Sequence, residues 1–151
     1  MFFRALRESI LTIRRESLRQ ICINFGVDIL YVFGSQAKSA VEWIDERMDC
    51  LPYRDSDVDV GVKGFPGKSW SVVEKVKLSI ALEDLFNCER VDLVVLSEAD
   101  PFLAAEIIRG ERLLAHDERI ADEYDLYILR RAGDLVPLER ERMSLILGEP
   151  S

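Results

Sequence analysis

One histidine, three cysteines and no long apolar run leave whole classes of protein without the residues they need. His116 has no second imidazole to work with, so a His-based metal site is unsupported, and so is a Ser-His-Asp triad. Cys22, Cys50 and Cys88 are too scattered for a zinc site or a redox pair and read as free thiols of a reducing compartment. No stretch is apolar for long enough to cross a bilayer. Arg4, Arg7, Arg14, Arg15 and Arg19 interrupt the N-terminal apolar residues, so no signal peptide is expected; the expected location is the cytoplasm, with no membrane contact. Positive charge is also short: 20 Lys and Arg stand against 28 Asp and Glu, a net charge of −8. A field of that sign opposes a polyanion, so long DNA or RNA is a poor substrate candidate. A basic protein partner, or a small nucleotide arriving with its metal, is compatible with it.

With 151 residues, 48% of them hydrophobic and 32% charged, the chain suits one compact domain with its own core. Apolar residues recur at helical steps from Phe3 to Phe25, with Gly26 as the stop. Ile29 to Phe33 is a continuous apolar run bounded by glycines, which reads as a buried strand. Gln36 to Arg47 reads as a helix with Ser35 as its N-cap, and Met48 to Arg54 as a loop. Asp57 to Val62 alternates strictly and reads as a half-buried strand. Ser69 to Asn87 reads as a second long helix and Val91 to Leu96 as a strand. A helix opens at Pro101 and runs to about Arg109; a short strand follows over Arg112 to Ala115. Asp117 caps a largely helical stretch to Leu147, with a break expected near Gly133 or Pro137. The expected fold class is α/β (α+β), a small mixed sheet flanked by helices, in a single domain over 1–151.

Asp57 and Asp59 lie on one face of their strand, about 7 Å apart along it. Carboxylates at that spacing can converge on hard cations that prefer oxygen ligands, and like charges left side by side without a cation are unfavourable. Asp92, near the start of another expected strand, would complete a three-carboxylate set for two metal ions if the strands are neighbours. Gly34 and Ser35 stand where a buried strand hands over to a helix. A residue without a side chain lets a phosphate approach the backbone, and the free N–H groups of the helix start favour an anion. Lys38, one turn on, adds positive charge. Gly64 to Ser69 ends like a P-loop, but Val62 replaces its first glycine and Pro66 removes an N–H from the cradle, so it reads as a connecting turn. Tyr124, Leu126 and Tyr127 read as packing beside a solvated face, with a partner-binding surface as the alternative.

Tyr31-Val32-Phe33-Gly34-Ser35-Gln36-Ala37-Lys38, Ser56-Asp57-Val58-Asp59-Val60 and Arg90-Val91-Asp92-Leu93-Val94, in that order, resemble the three signatures of the minimal nucleotidyltransferases of the DNA polymerase β-like superfamily. The stretch from Leu103 to Asp117 resembles the family's region after the third aspartate. The resemblance covers roughly residues 25 to 117, leaving an N-terminal helix at 3–25 and a helical extension at 117–147. Two departures stand out: Lys38-Ser39 replaces the usual Arg-Gly, and Val41 to Tyr53 looks like an insertion in a surface connection.

The resemblance implies roles. Asp57, Asp59 and Asp92 would be catalytic and hold two Mg2+ ions; Gly34, Ser35 and Lys38 would bind the phosphates of ATP; an acceptor hydroxyl near Asp92 would attack the α-phosphorus, releasing pyrophosphate. Small stand-alone members are often antitoxins that transfer AMP to a tyrosine of a HEPN-type ribonuclease toxin, which is the function expected here. The alternatives are a non-catalytic antitoxin of the same fold and transfer to a small molecule such as an aminoglycoside. Homo-oligomerisation stays open.

Overall fold

The structure, a computed structural model, describes residues 2–47 and 57–148, with side chains from residue 13 onward. Helix α1 (Phe2–Phe25) leads into strand β1 (Val27–Phe33), α2 (Ala37–Ile44), β2 (Asp57–Gly64), α3 (Val72–Phe86) and β3 (Arg90–Val95). A 3-10 turn at Leu96–Glu98 precedes α4 (Pro101–Ile108), β4 (Glu111–Ala115) and α5 (Glu118–Leu147). The four strands form one mixed sheet in the order β3-β2-β1-β4. β1 is antiparallel to both neighbours, and β2 and β3 are parallel, joined by α3 as the crossover that parallel pairing requires.

Both faces of the sheet are covered, which is why β1 is apolar throughout: six of its seven residues are buried. One face packs Leu30, Val32, Val58, Val60 and Val62 against Leu18 of α1, Trp43 and Ile44 of α2, and Leu78, Leu82 and Phe86 of α3. The other sets Ile29 and Tyr31 against Ala104, Ala105 and Ile107 of α4 and Ala121, Ile128 and Ala132 of α5. Helix α3 starts on a Ser71–Glu74 capping box, α4 on Asp100 and α5 on Asp117. Tyr31 donates a hydrogen bond to Asp125, and Arg112 donates to Asp125 at 3.0 Å and Asp122 at 2.8 Å, pinning α5 to the sheet.

Gly61 marks where α4 crosses β2. A Cβ there would stand 2.5 Å from Ile107 Cγ2, so glycine is what allows the approach. Gly61→Ala should cost about 1–3 kcal/mol, read as a lower thermal midpoint. The double variant with Ile107→Ala should lose less than the two singles summed. Strict additivity would show that the crossing does not depend on that contact.

Four expectations are corrected. Ser35 is not the cap of α2: that helix starts at Ala37 with Gln36 in the cap position and no side-chain cap bond. Val41 to Ile44 is not a surface connection but core helix, because Ala40, Trp43 and Ile44 are buried and Trp43 donates its indole N–H to Leu85 O at 2.9 Å; residues 48–56 lie outside the described residues. That helix also ends at Ile44 rather than Arg47. Helix α5 is unbroken from Glu118 to Leu147 with Pro137 inside it. The carbonyl deprived of its donor belongs to exposed Gly133, four residues back, where solvent can satisfy it.

Candidate active site

Strand direction gathers the candidate residues at one end of the sheet. β1 ends at Phe33 while β2 and β3 begin there, so Gly34, Asp57 and Asp92 come from three separate parts of the chain to one place. Asp59 pairs with Phe33 on one side and Asp92 on the other, and Asp57 pairs with Arg90. Partners in a ladder point to the same face, so Asp57, Asp59 and Asp92 share the α4 side of the sheet. They occupy the part before Gly61 and Val94, where the helical cover begins. Val58 and Val60, pointing the other way, are buried and anchor the strand.

The carboxylates feel one another. Asp59 is half-buried, and its carboxyl is held above the usual aspartate range, first by burial and then by the charges of Asp92 and Asp57. Such a cluster of oxygen donors with a repulsion to be relieved fits a hard dication. The side chains are not already folded around a point: no group of three or more His, Cys, Asp or Glu among the described residues has that arrangement. Arg90 Nε lies 3.1 Å from Asp92 Oδ1, so Arg90 serves as a counter-ion of Asp92, while the Asp92 carboxyl stays within hydrogen-bond reach of Asp59. Both side chains are solvent-accessible, and a side-chain rotation frees the carboxylate.

Gly34 sits directly against Asp59. Its φ is +77° and a Cβ there would fall 2.5 Å from Asp59 Oδ2, so the turn and the acidic strand fit only with glycine. Ser35 and Lys38 are exposed, and no side-chain hydrogen bond holds either within the described residues. Because Ser35 does not cap α2, its hydroxyl is available to a ligand. A cleft of about 380 Å3 opens beside this turn, lined by Phe33, Gly34, Ser35 and Lys38 and by Arg109 and Gly110 from the end of α4.

Arg90 and Arg109 were not assigned to the site from the sequence. Arg90 lies in the third motif, where its partnership with Asp92 needs only the strand to be seen. Arg109 comes to Gly34 through the pairing of Val32 with Glu111, a long-range fact that no local pattern contains.

Other candidates lie elsewhere. Gly64 pairs with Val27 at the far end of β1, so the P-loop-like turn is remote from the carboxylates; its Lys68 is bonded to Glu74 at 3.0 Å. A cavity of about 330 Å3 between α1 and β4, lined by Arg15, Cys22, Phe65 and His116, is at that far end too. Cys22 is buried there with its thiol pushed up to about 12, which makes it inert. Cys22 and Cys88 are free thiols, and Cys50 lies outside the described residues. No helix among the described residues is long and apolar enough to cross a membrane.

The family model described as polymerase beta, nucleotidyltransferase matches residues 16–119, spanning all four strands. No curated protein sequence matches. Among solved structures, a chain of a toxin–antitoxin complex with AMP-PNP superposes with a TM-score of 0.65 at 15% identity, over 87% of this chain and 97% of that one. A chain of the complex between a tri-AMPylated Shewanella oneidensis HEPN toxin and an MNT antitoxin gives 0.63 at 13% identity, over 91% and 98%. At those identities the likeness is one of fold. Signatures, strand register and the match over most of the chain agree: it belongs to the polymerase β nucleotidyltransferase family.

Proposed function

We propose that this protein is an Mg2+-dependent adenylyltransferase that transfers AMP from ATP to a tyrosine hydroxyl of a HEPN-type ribonuclease toxin, and so acts as its antitoxin. The observation that carries the chemistry is the register of Asp59 with Asp92 on parallel strands, two residues after Asp57 and against the Gly34–Ser35 turn. The choice of acceptor is supported by the solved structures of similar fold, which are toxin–antitoxin complexes, one of them between a tri-AMPylated HEPN toxin and an MNT antitoxin.

In this reading Asp57, Asp59 and Asp92 hold two magnesium ions, which when bound neutralise charge on the phosphates and on the attacking oxygen. Gly34 leaves room for a phosphate at the backbone, Ser35 offers a hydroxyl, and Lys38 offers charge. Asp92, at the exposed edge of the sheet on β3, accepts a hydrogen bond from the incoming hydroxyl and orients it toward the α-phosphorus. The hydroxyl oxygen bonds to that phosphorus as its bond to the bridging oxygen breaks. Pyrophosphate leaves, and the hydroxyl proton passes to Asp92 or to water. Positioning and charge do most of the work in such a transfer.

The test is incubation of the protein with ATP labelled in the adenosine or α-phosphate, Mg2+ and the product of the neighbouring gene. Label on a tyrosine of that product is the expected result. Tight association without label would replace the enzyme with a binding antitoxin, and label on an aminoglycoside in a parallel reaction supplied with one in place of that product would move the acceptor to a small molecule.

A further inference from the structure

We propose that Arg109 is a second phosphate-binding cation of this site, gripping the triphosphate tail of the nucleotide from the end of α4 in the cleft it shares with Gly34, Ser35 and Lys38. The proposal rests on the nucleotidyl-transfer reading above and adds to it a residue outside the three signatures.

Arg109 is the C-cap of α4: its backbone N–H donates to Ala105 O at 3.0 Å, and that of Gly110 donates to Ile107 O at 3.0 Å. The next residue fixes it further. A Cβ at Gly110 would stand 2.5 Å from Val32 O and 2.9 Å from Phe33 Cβ, so the end of α4 lies directly on the end of β1. Glu111 then pairs with Val32. Arg109 is thus held on the cleft wall by a helix behind it and a strand ahead of it, not carried on a free loop.

Its charge is uncommitted. Arg112, three residues on, is bonded to Glu118, Asp122 and Asp125, whereas neither the Arg109 nor the Lys38 side chain has an ion-pair or hydrogen-bond partner among the described residues. Two side-chain cations without partners therefore line one cleft of about 380 Å3, together with a glycine–serine turn. Glu106 and Glu111 also line that cleft. Their charges offset the two cations at long range, which favours a metal-bearing nucleotide over a bare polyanion. Close contact is a matter of geometry. The Lys38 ammonium is a point charge, while a guanidinium binds two phosphate oxygens at once.

Calorimetric titration of the full chain with MgATP and, separately, with AMP tests this. Arg109→Ala should weaken MgATP binding by about tenfold or more and leave AMP binding within about twofold, because AMP has no β or γ phosphate to grip. Arg109→Lys should fall between the wild type and Arg109→Ala, keeping the charge without the fork. Unchanged MgATP affinity in Arg109→Ala would overturn the proposal and leave nucleotidyl transfer standing. Equal losses for MgATP and AMP would overturn it in favour of a role in shaping the pocket. A wild-type protein that binds AMP but not MgATP would remove the nucleotidyl-transfer reading together with this one.

Discussion

Replacing Asp59 with Asn is expected to lower nucleotide transfer by at least about a thousandfold while making the metal-free protein more stable. The two effects share a cause. Asp59 stands in register with Asp92 and two residues after Asp57, half-buried, on a strand whose opposite face is locked into the core by Val58 and Val60. Without a cation its charge is opposed by burial and by two like charges, which hold its carboxyl above the usual range. Asparagine keeps the shape and removes that penalty, so the thermal midpoint of the metal-free protein should rise by about 1–3 °C. The same change removes a proposed anionic ligand at the centre of the set, so added Mg2+ should raise the midpoint of the wild type and not of the variant. A variant that still transfers AMP would end the three-aspartate mechanism.

The pH dependence follows from the same carboxyl. An aspartate raised in the folded state holds its proton more tightly there than in the unfolded chain. Stability then falls as pH rises from the ordinary aspartate range through the raised folded value, and the whole cost is present above it. Metal-free wild type should therefore gain on Asp59→Asn as acid titrates this group, and the gap between their thermal midpoints should close as pH drops through that window. Glu74 shifts the other way, lowered chiefly by its hydrogen bond to Lys68. It is common to both proteins and cancels in the comparison. A gap that stays constant from neutral pH down through the window would place the origin of the variant's stability elsewhere.

Local patterns disclose most of what positions this site. The alternation from Asp57 to Val62 reflects a strand with a helix-packed valine face, and the apolar run of β1 reflects a strand covered on both sides. Asp92 is a different case, since its place beside Asp59 depends on β2 and β3 being neighbours in register, which the motif resemblance implies and periodicity does not. Ser35 illustrates a competing use of one signal: serine before a helix is a good cap, yet the chain turns once more and Gln36 takes that position. Val41 to Ile44 was illegible because excess spacing between two motifs suggests a surface loop, while burial of Trp43 and Ile44 depends on α3 and α1 packing around them. Arg109 is the least legible, because β4 must first cross to the free edge of β1 before the residue preceding Gly110 comes near Gly34.

Gly34→Ala should be nearly as damaging to activity as loss of Asp59, by a different route. At φ +77° an alanine is strained by about 1–2 kcal/mol before any contact is considered. Its methyl would also stand 2.5 Å from Asp59 Oδ2 and 3.5 Å from Asp59 Cγ, so the carboxylate must swing away or the turn must lift. Either response separates the acidic strand from the turn proposed to bind phosphate. A displacement near 1 Å suffices to cost about a hundredfold in a reaction that depends on positioning. The thermal midpoint should fall, because the strain is added without relieving the carboxylate cluster; Asp59→Asn moves it the other way. That opposition of sign discriminates between the two causes of inactivity. Full activity in Gly34→Ala would show that the turn and Asp59 need not touch, and would locate the phosphate tail away from Gly34.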